Sequence, residues 1–477
     1  MPALPDGLVV VVKHDCPTCE LVVPVLERLA AGSEPLTVLT QDDPEFPQSV
    51  AAVDDTDLSF SWHHNIETVP TLLRVTAGRE LERTVGWSRS EWQRVSGVEG
   101  LGPSLPEHRP GCGSLSVDPD LVGQLAVRFG ASALGSRRVE FAALEDEFEA
   151  AFDRGWTDGL PVVPPTEQRV LAMLEGTSRD PSDVVAKIPP DLHPATVEQI
   201  AVNAVMAGCK PDYLPVVLAA VEAVCTSEFN MHGVLATTLF GGPVLVINGP
   251  IVKQLDINSG GNALGQGNRA NLTIGRALQL IVRNLGGGRP GEVDMSTLGS
   301  PGKLGLCFAE REHDSPFDSL ATERGFALAT STVTAFAGSG PTVIVDQISR
   351  TPESLVRSIA ACLRAVGHPK LAKRLDAMLI VSPEHGRLFA QAGWDRSRLR
   401  AELEPLLMLS GDRIARGVDG IEEGMPNATP DATIPKFRPG GLQIVHAGGE
   451  AGLFSAILDG WVGGPKGSEP VTVEITA

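Results

Sequence analysis

The clearest chemistry in this 477-residue chain lies in "HDCPTCEL", where Cys16 and Cys19 flank a Pro-Thr pair. They follow an apolar run, "GLVVVV", and lead into "CELVVPVLERLAAG" (19–32). Leu21, Val25, Leu26 and Leu29 share one side of a helix there. A Cys-x-x-Cys at a strand-to-helix turn has a physical logic. The helix N-terminus offers unpaired N–H groups and partial positive charge, and both stabilise a thiolate on the first cysteine. The second, one turn in, can attack a mixed disulfide formed at the first. Pro17 fits the first turn, where its missing N–H is not needed. Two other readings stand beside this one. The pair could be half of a zinc site, with His63 and His64 as the candidate partners. It could also be an inert pair in a docking domain.

A third cysteine stands in "RPGCGSLSVDP" (109–119). Cys112 lies between two glycines, which allow close backbone approach. A small exposed thiol there could enter a pocket elsewhere in the chain and be reduced by Cys16 and Cys19. An incidental linker cysteine is the other reading. Cys209, Cys225 and Cys362 sit in apolar helical contexts and read as inert core thiols.

Later segments hold further candidates. "GWTDGLPVVPPT" (155–166) places Trp156 and Asp158 in a rigid loop, with Asp158 a base or a turn former. "CFAEREHDSPFD" (307–318) gathers Cys307, Glu310, Glu312, His313 and Asp314. His313 with Glu310 could act as general acid and base or bind a metal; a solvated helix end explains the same residues. "SEFNMHGVLATT" (227–238) contributes His232, Thr237 and Thr238, where a buried, hydrogen-bonded histidine is the commoner reading. In "VHAGGE" (445–450), His446 ends a strand before glycines, at a plausible pocket loop. "NSGGNALGQGNRANLTIGRA" (258–277) opens a helix. Gly265, Gly267, Asn268, Arg269 and Arg276 form a candidate anion site there, with the two arginines on one helical face. Tight packing of glycines against backbone is the alternative. The segment lacks the Lys-Ser/Thr of a P-loop and the preceding strand of a dinucleotide fingerprint.

Positioning these residues takes more than one core, and the length predicts two or three domains. Strands are expected at 7–15 and 36–43, with a helical stretch around "PQSVAAVDD" (47–55). A hairpin follows at 69–87. A helix at 88–95 has Ser88 as cap and Glu91 three residues on. Residues 98–134 read as a Gly/Pro/Ser-rich linker carrying Cys112. Beyond it, helices at roughly 137–153, 192–225 and 352–366 alternate with strands at 242–250, 341–346, 377–382 and 441–449. That alternation predicts an α/β class. Residues 417–440 read as a long irregular connection, and no repeat of 20–50 residues is visible.

Composition excludes several functions. The formal net charge is −20, which opposes nucleic acid and anionic membranes as partners. The longest apolar stretch, "YLPVVLAAVEAVC" (213–225), carries Glu222 and falls short of the roughly 18 residues of a membrane span. No basic n-region precedes an apolar run at the N-terminus, so a cytoplasmic location is expected. Seven thinly spread cysteines suit a reducing compartment rather than a disulfide scaffold. The expected partner is a small molecule, with an anion among the options; no cofactor is called for, and a homodimer is expected.

Residues 5–97 resemble the thioredoxin/glutaredoxin superfamily. The resemblance rests on strand–"CPTC"–helix, a second strand, "TVPTLL", a hairpin and a closing helix. It implies a thioredoxin-like domain over 1–97 and dithiol–disulfide exchange by Cys16 and Cys19. It also implies a cis-proline at Pro70, after Val69, beside them. The tryptophan usual before the motif is replaced by His14-Asp15. A second resemblance joins "PGCGS", "GWTDGLPVVPPT" and "SPEHGRLFAQAGW" to an uncharacterised bacterial family with a Cys/Sec-Gly-Ser-Cys motif. It implies a nucleophilic or redox role for Cys112. Leu115 stands at the fourth position, so a local dithiol is ruled out and the front domain becomes the resolver. The expected protein is thus a thiol-dependent redox or bond-cleaving enzyme, with residues 135–477 as an α/β catalytic domain. The alternatives are a metal-dependent lyase or hydrolase, and a ligand-binding scaffold.

Overall fold

The computed structural model describes residues 2–119, 121–129, 134–137, 139, 146–415, 431–462 and 467–476. Most of the expected irregular connection at 417–440, and residues 140–145 of the expected helix near 137–153, lie outside the described residues. The chain divides into two compact units, Met1–Ala133 and Leu134–Ala477. Both mix helices with sheet, as the α/β expectation requires.

In the first unit the elements are β1 (Gly7–Val12), α1 (Pro17–Ala30), β2 (Leu36–Thr40), β3 (Ala52–Asp54), α2 (Ser59–His63), β4 (Thr68–Val69), β5 (Thr71–Thr76), β6 (Arg79–Val85), β7 (Trp87–Ser88), α3 (Arg89–Ser96), β8 (His108–Arg109) and β9 (Cys112–Gly113). The main sheet runs β3-β2-β1-β5-β6. The first three strands are mutually parallel, and β5 and β6 are antiparallel to their neighbours. The apolar run becomes the central strand β1, buried along its whole length. Val22, Val25, Leu26 and Leu29 of α1 enter the same core, as do Trp92 and Val95 of α3.

Two expectations fail here. The helix expected at 47–55 is absent. Ala52–Asp54 instead extends the sheet beside β2, because a free parallel edge outcompetes weak helix propensity. The helix begins later, where the Asp55 carboxylate accepts the N–H groups of Phe60 and Ser61. The start of the supposed linker is ordered structure. Leu101 is fully buried, β8 pairs with β7, and β9 pairs with β4. Gly111 marks close approach rather than freedom. A Cβ on Gly111 would stand 2.5 Å from Thr68 Cγ2 and 2.7 Å from Val69 O.

In the second unit, helices α4 (Val197–Ala207), α5 (Leu214–Val224), α6 (Arg269–Asn284), α7 (Pro352–Ala365), α8 (Pro383–Gln391) and α9 (Arg396–Leu406) surround one sheet. Its strands are β10 (Gly242–Asn248), β11 (Leu306–Ala309), β12 (Thr332–Val345), β13 (Leu375–Val381), β14 (Leu442–His446), β15 (Phe454–Trp461) and β16 (Val471–Glu474). The order is β11-β10-β12-β15-β13-β14, with β16 beside β12. Read from either edge, the pattern repeats. An edge strand lies parallel to the next, which lies antiparallel to a third. Val244 pairs with Leu306 and Phe336, as Met378 pairs with Gln443 and Leu458. The halves join along β12 and β15, from the pair Gly338–Gly460 to the pair Val345–Phe454.

The sheet curls. Val244, Val246, Phe308, Phe336, Met378, Ile380, Val445 and Leu458 share one interior cluster. The opposite faces of the strands pack on α4, α5 and α6 in one half and on α7, α8 and α9 in the other. The two edge strands meet just beyond their ends, where Arg311 N–H donates to His446 O at 2.7 Å. The apolar stretch 213–225 becomes α5, a core helix, with Glu222 receiving Arg179 Nη1 at 2.7 Å. Among the described residues no helix is long and apolar enough to cross a membrane.

Candidate functional site: three thiols at the start of a helix

β1 delivers the chain to the N-terminus of α1, and Cys16 is its N-cap, with extended backbone (φ −152°, ψ 107°). The turn before it is fixed by Asp42 at the end of β2, whose carboxylate accepts the N–H groups of His14 and Asp15 at 2.6 and 2.8 Å. Cys16 Sγ accepts the backbone N–H of Cys19 at 3.2 Å. It also lies 3.6 Å from Val69 O. A cis peptide joins Val69 to Pro70. Val69 is in turn the register partner of Cys112 across the β4–β9 pair. Cys16, Cys19, Pro70 and Cys112, expected from sequence as a working set, therefore come together.

Their protonation is divided. The Cys16 thiol is lowered to about 5. A hydrogen bond from the Cys19 side chain is the main cause; burial opposes it, and Cys112 and the N–H groups of Cys19 and Thr18 add to it. Cys19 is pushed far up by burial and by the neighbouring Cys16. Cys112 is raised by burial and by its hydrogen bond to Cys16. Cys16 is thus the group that holds a thiolate at neutral pH, beside two thiols that burial keeps protonated, and the thiolate is the attacking species in thiol–disulfide exchange.

Residues that sequence reasoning passed over hold Cys112 in place. Thr18 Oγ1 donates to Pro110 O at 2.7 Å. Gln41 Nε2 donates to Ser114 Oγ at 2.6 Å and to Ser61 Oγ at 2.7 Å, while Gln41 Oε1 accepts Leu115 N–H at 3.1 Å. Ser61 leans on Asp55, and Ser116 Oγ donates to Ile66 O. Gln41, Asp55, Ser61, Ser114 and Ser116 are all buried. The one sequence signal was a polar residue, Gln41, directly after an apolar strand.

The other candidates fall mainly in two neighbourhoods, Asp158 with Arg276 and the segments 307–314 and 446–450, which meet at Arg311 and His446. Asp158 forms a two-pronged ion pair with Arg276 at 2.8 Å. Burial would raise its carboxyl, but Arg276 outweighs this and holds it low. Arg276 also donates to Leu160 O and Pro161 O, and Arg269 donates to Gly208 O at 2.9 Å. Asn268 caps α6, Gly265 lies against the Asn262 side chain, and Gly267 adopts φ +113°. A Cβ on Gly265 would stand 2.1 Å from Asn262 Oδ1, and one on Gly449 would meet the Gly261 backbone at 3.1 Å, so Gly265 and Gly449 are packing positions.

Glu310 is fully buried. It receives Asn248 Nδ2 at 2.7 Å, Leu320 N–H at 2.6 Å and Arg396 Nη2 at 3.0 Å, and burial pushes its carboxyl up. His313 points away, exposed, 3.6 Å from Asp314. His446 Nδ1 lies 2.9 Å from Arg311 O, and its Nε2 is buried against Gly386. His232 is exposed, and Thr237 Oγ1 accepts Leu239 N–H. His63 Nδ1 contacts Ser59 O and His64 Nε2 contacts Pro2 O, so these rings are held by separate backbone carbonyls. Burial raises Cys209 and Cys225 to about 12, and raises Cys307 and Cys362 as well. Among the described residues no group of three His, Cys, Asp or Glu side chains is placed to hold a metal ion. No protein-family model matches the chain, and no curated protein matches it.

Proposed function

We propose that the first unit is a thioredoxin-like thiol–disulfide exchange centre whose client is its own Cys112. The sheet order β3-β2-β1-β5-β6, with the cysteine pair at the start of α1, supports the thioredoxin-like reading. The observation that carries the client assignment is the register. Cys112 pairs with Val69, and the carbonyl of Val69 lies 3.6 Å from Cys16 Sγ.

The reaction starts with Cys112 as a mixed disulfide, Cys112–S–SR, formed on a small sulfur electrophile. The Cys16 thiolate attacks the Cys112 sulfur. The Cys16–Cys112 bond forms, the S–SR bond breaks, and RS⁻ leaves and takes a proton. Cys19 then gives up its proton and attacks Cys16 Sγ. The Cys16–Cys19 disulfide forms, and the Cys112 thiolate leaves and takes that proton. The mixed disulfide has gained two electrons and the dithiol has lost two; an external dithiol restores it. For the whole chain this supports a thiol-dependent redox enzyme acting on a small molecule, with Cys112 as the oxidised intermediate.

The test is a trap. Cys19→Ser removes the resolving thiol, so treating this variant with hydroxyethyl disulfide leaves a Cys16–Cys112 disulfide. Peptide mapping by mass spectrometry without reductant identifies it. Finding hydroxyethyl adducts on both cysteines, and no crosslink, sinks the assignment of Cys112 as client.

A further inference from the structure

The segment carrying Cys112 does more than present a thiol. It covers the surface through which Cys16 would meet any other extended polypeptide. β9 takes the exposed edge of β4, and Ser114 N–H donates to Glu67 O at 3.0 Å. β8 takes the edge of β7, and Arg89 N–H donates to Glu107 O at 2.9 Å. An incoming strand needs those same main-chain groups.

The surface is also selective at one position. Gly111, immediately before Cys112, lies against Thr68 Cγ2, Val69 O and the Cα of Gly86, where a Cβ would stand 2.5, 2.7 and 3.2 Å away. Gly86 itself has φ +65°, and a Cβ there would stand 2.7 Å from Gly111 N. Two glycines therefore face each other, and a residue with a side chain before the reacting cysteine has no room. Two positions beyond the cysteine, the Ser114 hydroxyl meets the Gln41 amide, which also holds Leu115 N–H.

Resting on the function proposed above, we propose that residues 107–116 are a tethered occupant of a strand-adding groove, and that the groove reserves Cys16 for a Gly-Cys-x-Ser segment. The partner it fits is this chain's own Cys112 strand. Other protein disulfides are excluded by the seated occupant, and the close fit at Gly111 sets which segment can seat in this register. Gln41 is the positioning residue, because one amide holds the occupant through both its oxygen and its nitrogen.

The experiment uses the full chain, with dithiothreitol as the external dithiol. Insulin is the generic protein disulfide, and hydroxyethyl disulfide is the small reference. Gln41→Leu removes the clamp, and Gly111→Ala forces a Cβ into the closed position. Both are expected to raise the ratio of insulin turnover to hydroxyethyl disulfide turnover by about tenfold or more, as a displaced strand exposes the β4 edge. In the Cys19→Ser background both are expected to lower the yield of the Cys16–Cys112 crosslink. Retention of the pH midpoint of Cys16 alkylation reports that the helix start is intact. An unchanged ratio in the variant that keeps this midpoint overturns the inference, as does wild-type protein that reduces insulin as readily as those variants. If the crosslink forms in Cys19→Ser but the ratio does not move, the reservation fails while the exchange reaction stands. If the crosslink never forms, the function proposed above fails first.

Discussion

Cys16 and Cys209 are both buried thiols, 1 % and 6 % exposed, yet their acidities move in opposite directions. Cys16 falls to about 5, while Cys209 rises to about 12. Burial penalises the thiolate in both places. At Cys16 the sulfur caps a helix and receives the Cys19 N–H, with two thiols beside it. At Cys209 burial outweighs the Thr273 side chain and Arg269, which act in the other direction. Burial alone therefore makes an inert cysteine, and reactivity comes from donors aimed at the sulfur. The same contrast separates the two units. The first concentrates its reactive groups in one place. In the second, Arg311 joins the segments 307–314 and 446–450, and most candidate residues are paired with one another or with backbone carbonyls.

The strongest way to break that contrast is to remove the sulfur on each side of it. Cys16→Ser is expected to reduce hydroxyethyl disulfide turnover to the background of the assay, whereas Cys225→Ala leaves it at the wild-type rate. A Cys16→Ser protein that still turns over places the chemistry elsewhere. The second unit should respond to loss of pairing as a matter of stability instead. Arg396→Ala leaves the Glu310 carboxylate buried without its ion pair. It is expected to cost about 3–5 kcal/mol, read by denaturant unfolding of that unit. A loss below about 1 kcal/mol would mean that Glu310 is already neutral in the folded protein.

The acidities themselves give the next effect. Cys16 carries a depressed value, so its thiolate is present at neutral pH and is lost only as pH falls through about 5. Cys209 carries a raised value, so its thiolate appears only as pH approaches about 12. At pH 7 the thiolate fractions differ by about five decades. The lower intrinsic nucleophilicity of the more acidic thiol returns about three of these. Cys16 should thus be alkylated about a hundredfold faster than Cys209, with a midpoint near pH 5, in iodoacetamide labelling followed by peptide mass spectrometry. Equal rates would remove the electrostatic account of the site.

How much of this was readable beforehand follows from how local each cause is. The apolar run at 8–12, the Cys-x-x-Cys and the hairpin at 69–87 are signals within a few residues, and they located β1, the start of α1 and the strands β5 and β6. The order of the segment at 101–116 was hidden. Glycine and proline have the same composition in a free linker as in a strand pressed against Val69 and Gly86. Gln41 acts on Ser114, far along the chain, and nothing near either residue announces the other. The twofold pattern of the large sheet was hidden for a different reason. Its equivalent positions, such as Leu306 and Gln443, share a place in the pairing and not a residue type. Arg269 and Arg276 were legible as neighbours on one helical face, but the partners that engage them, Gly208 O and Asp158, come from other parts of the fold.

The smallest effect tests the finest point of the comparison, whether a single hydrogen bond positions a reactive thiol without altering its acidity. Thr18 Oγ1 donates to Pro110 O, two residues before Cys112. Thr18→Val keeps the shape and removes the donor, leaving one carbonyl unsatisfied, for about 1 kcal/mol. Because this bond holds the strand and does not touch Cys16 Sγ, its loss should lower the Cys16–Cys112 crosslink yield in the Cys19→Ser background by about fivefold. The alkylation midpoint of Cys16 should stay near 5. The backbone N–H of Thr18 contributes to the lowered acidity of Cys16, so a shifted midpoint with unchanged crosslinking would mean that the lost hydroxyl acted on the thiolate and not on the strand. The valine variant keeps that N–H, so the two measurements separate placement of the strand from stabilisation of the charge.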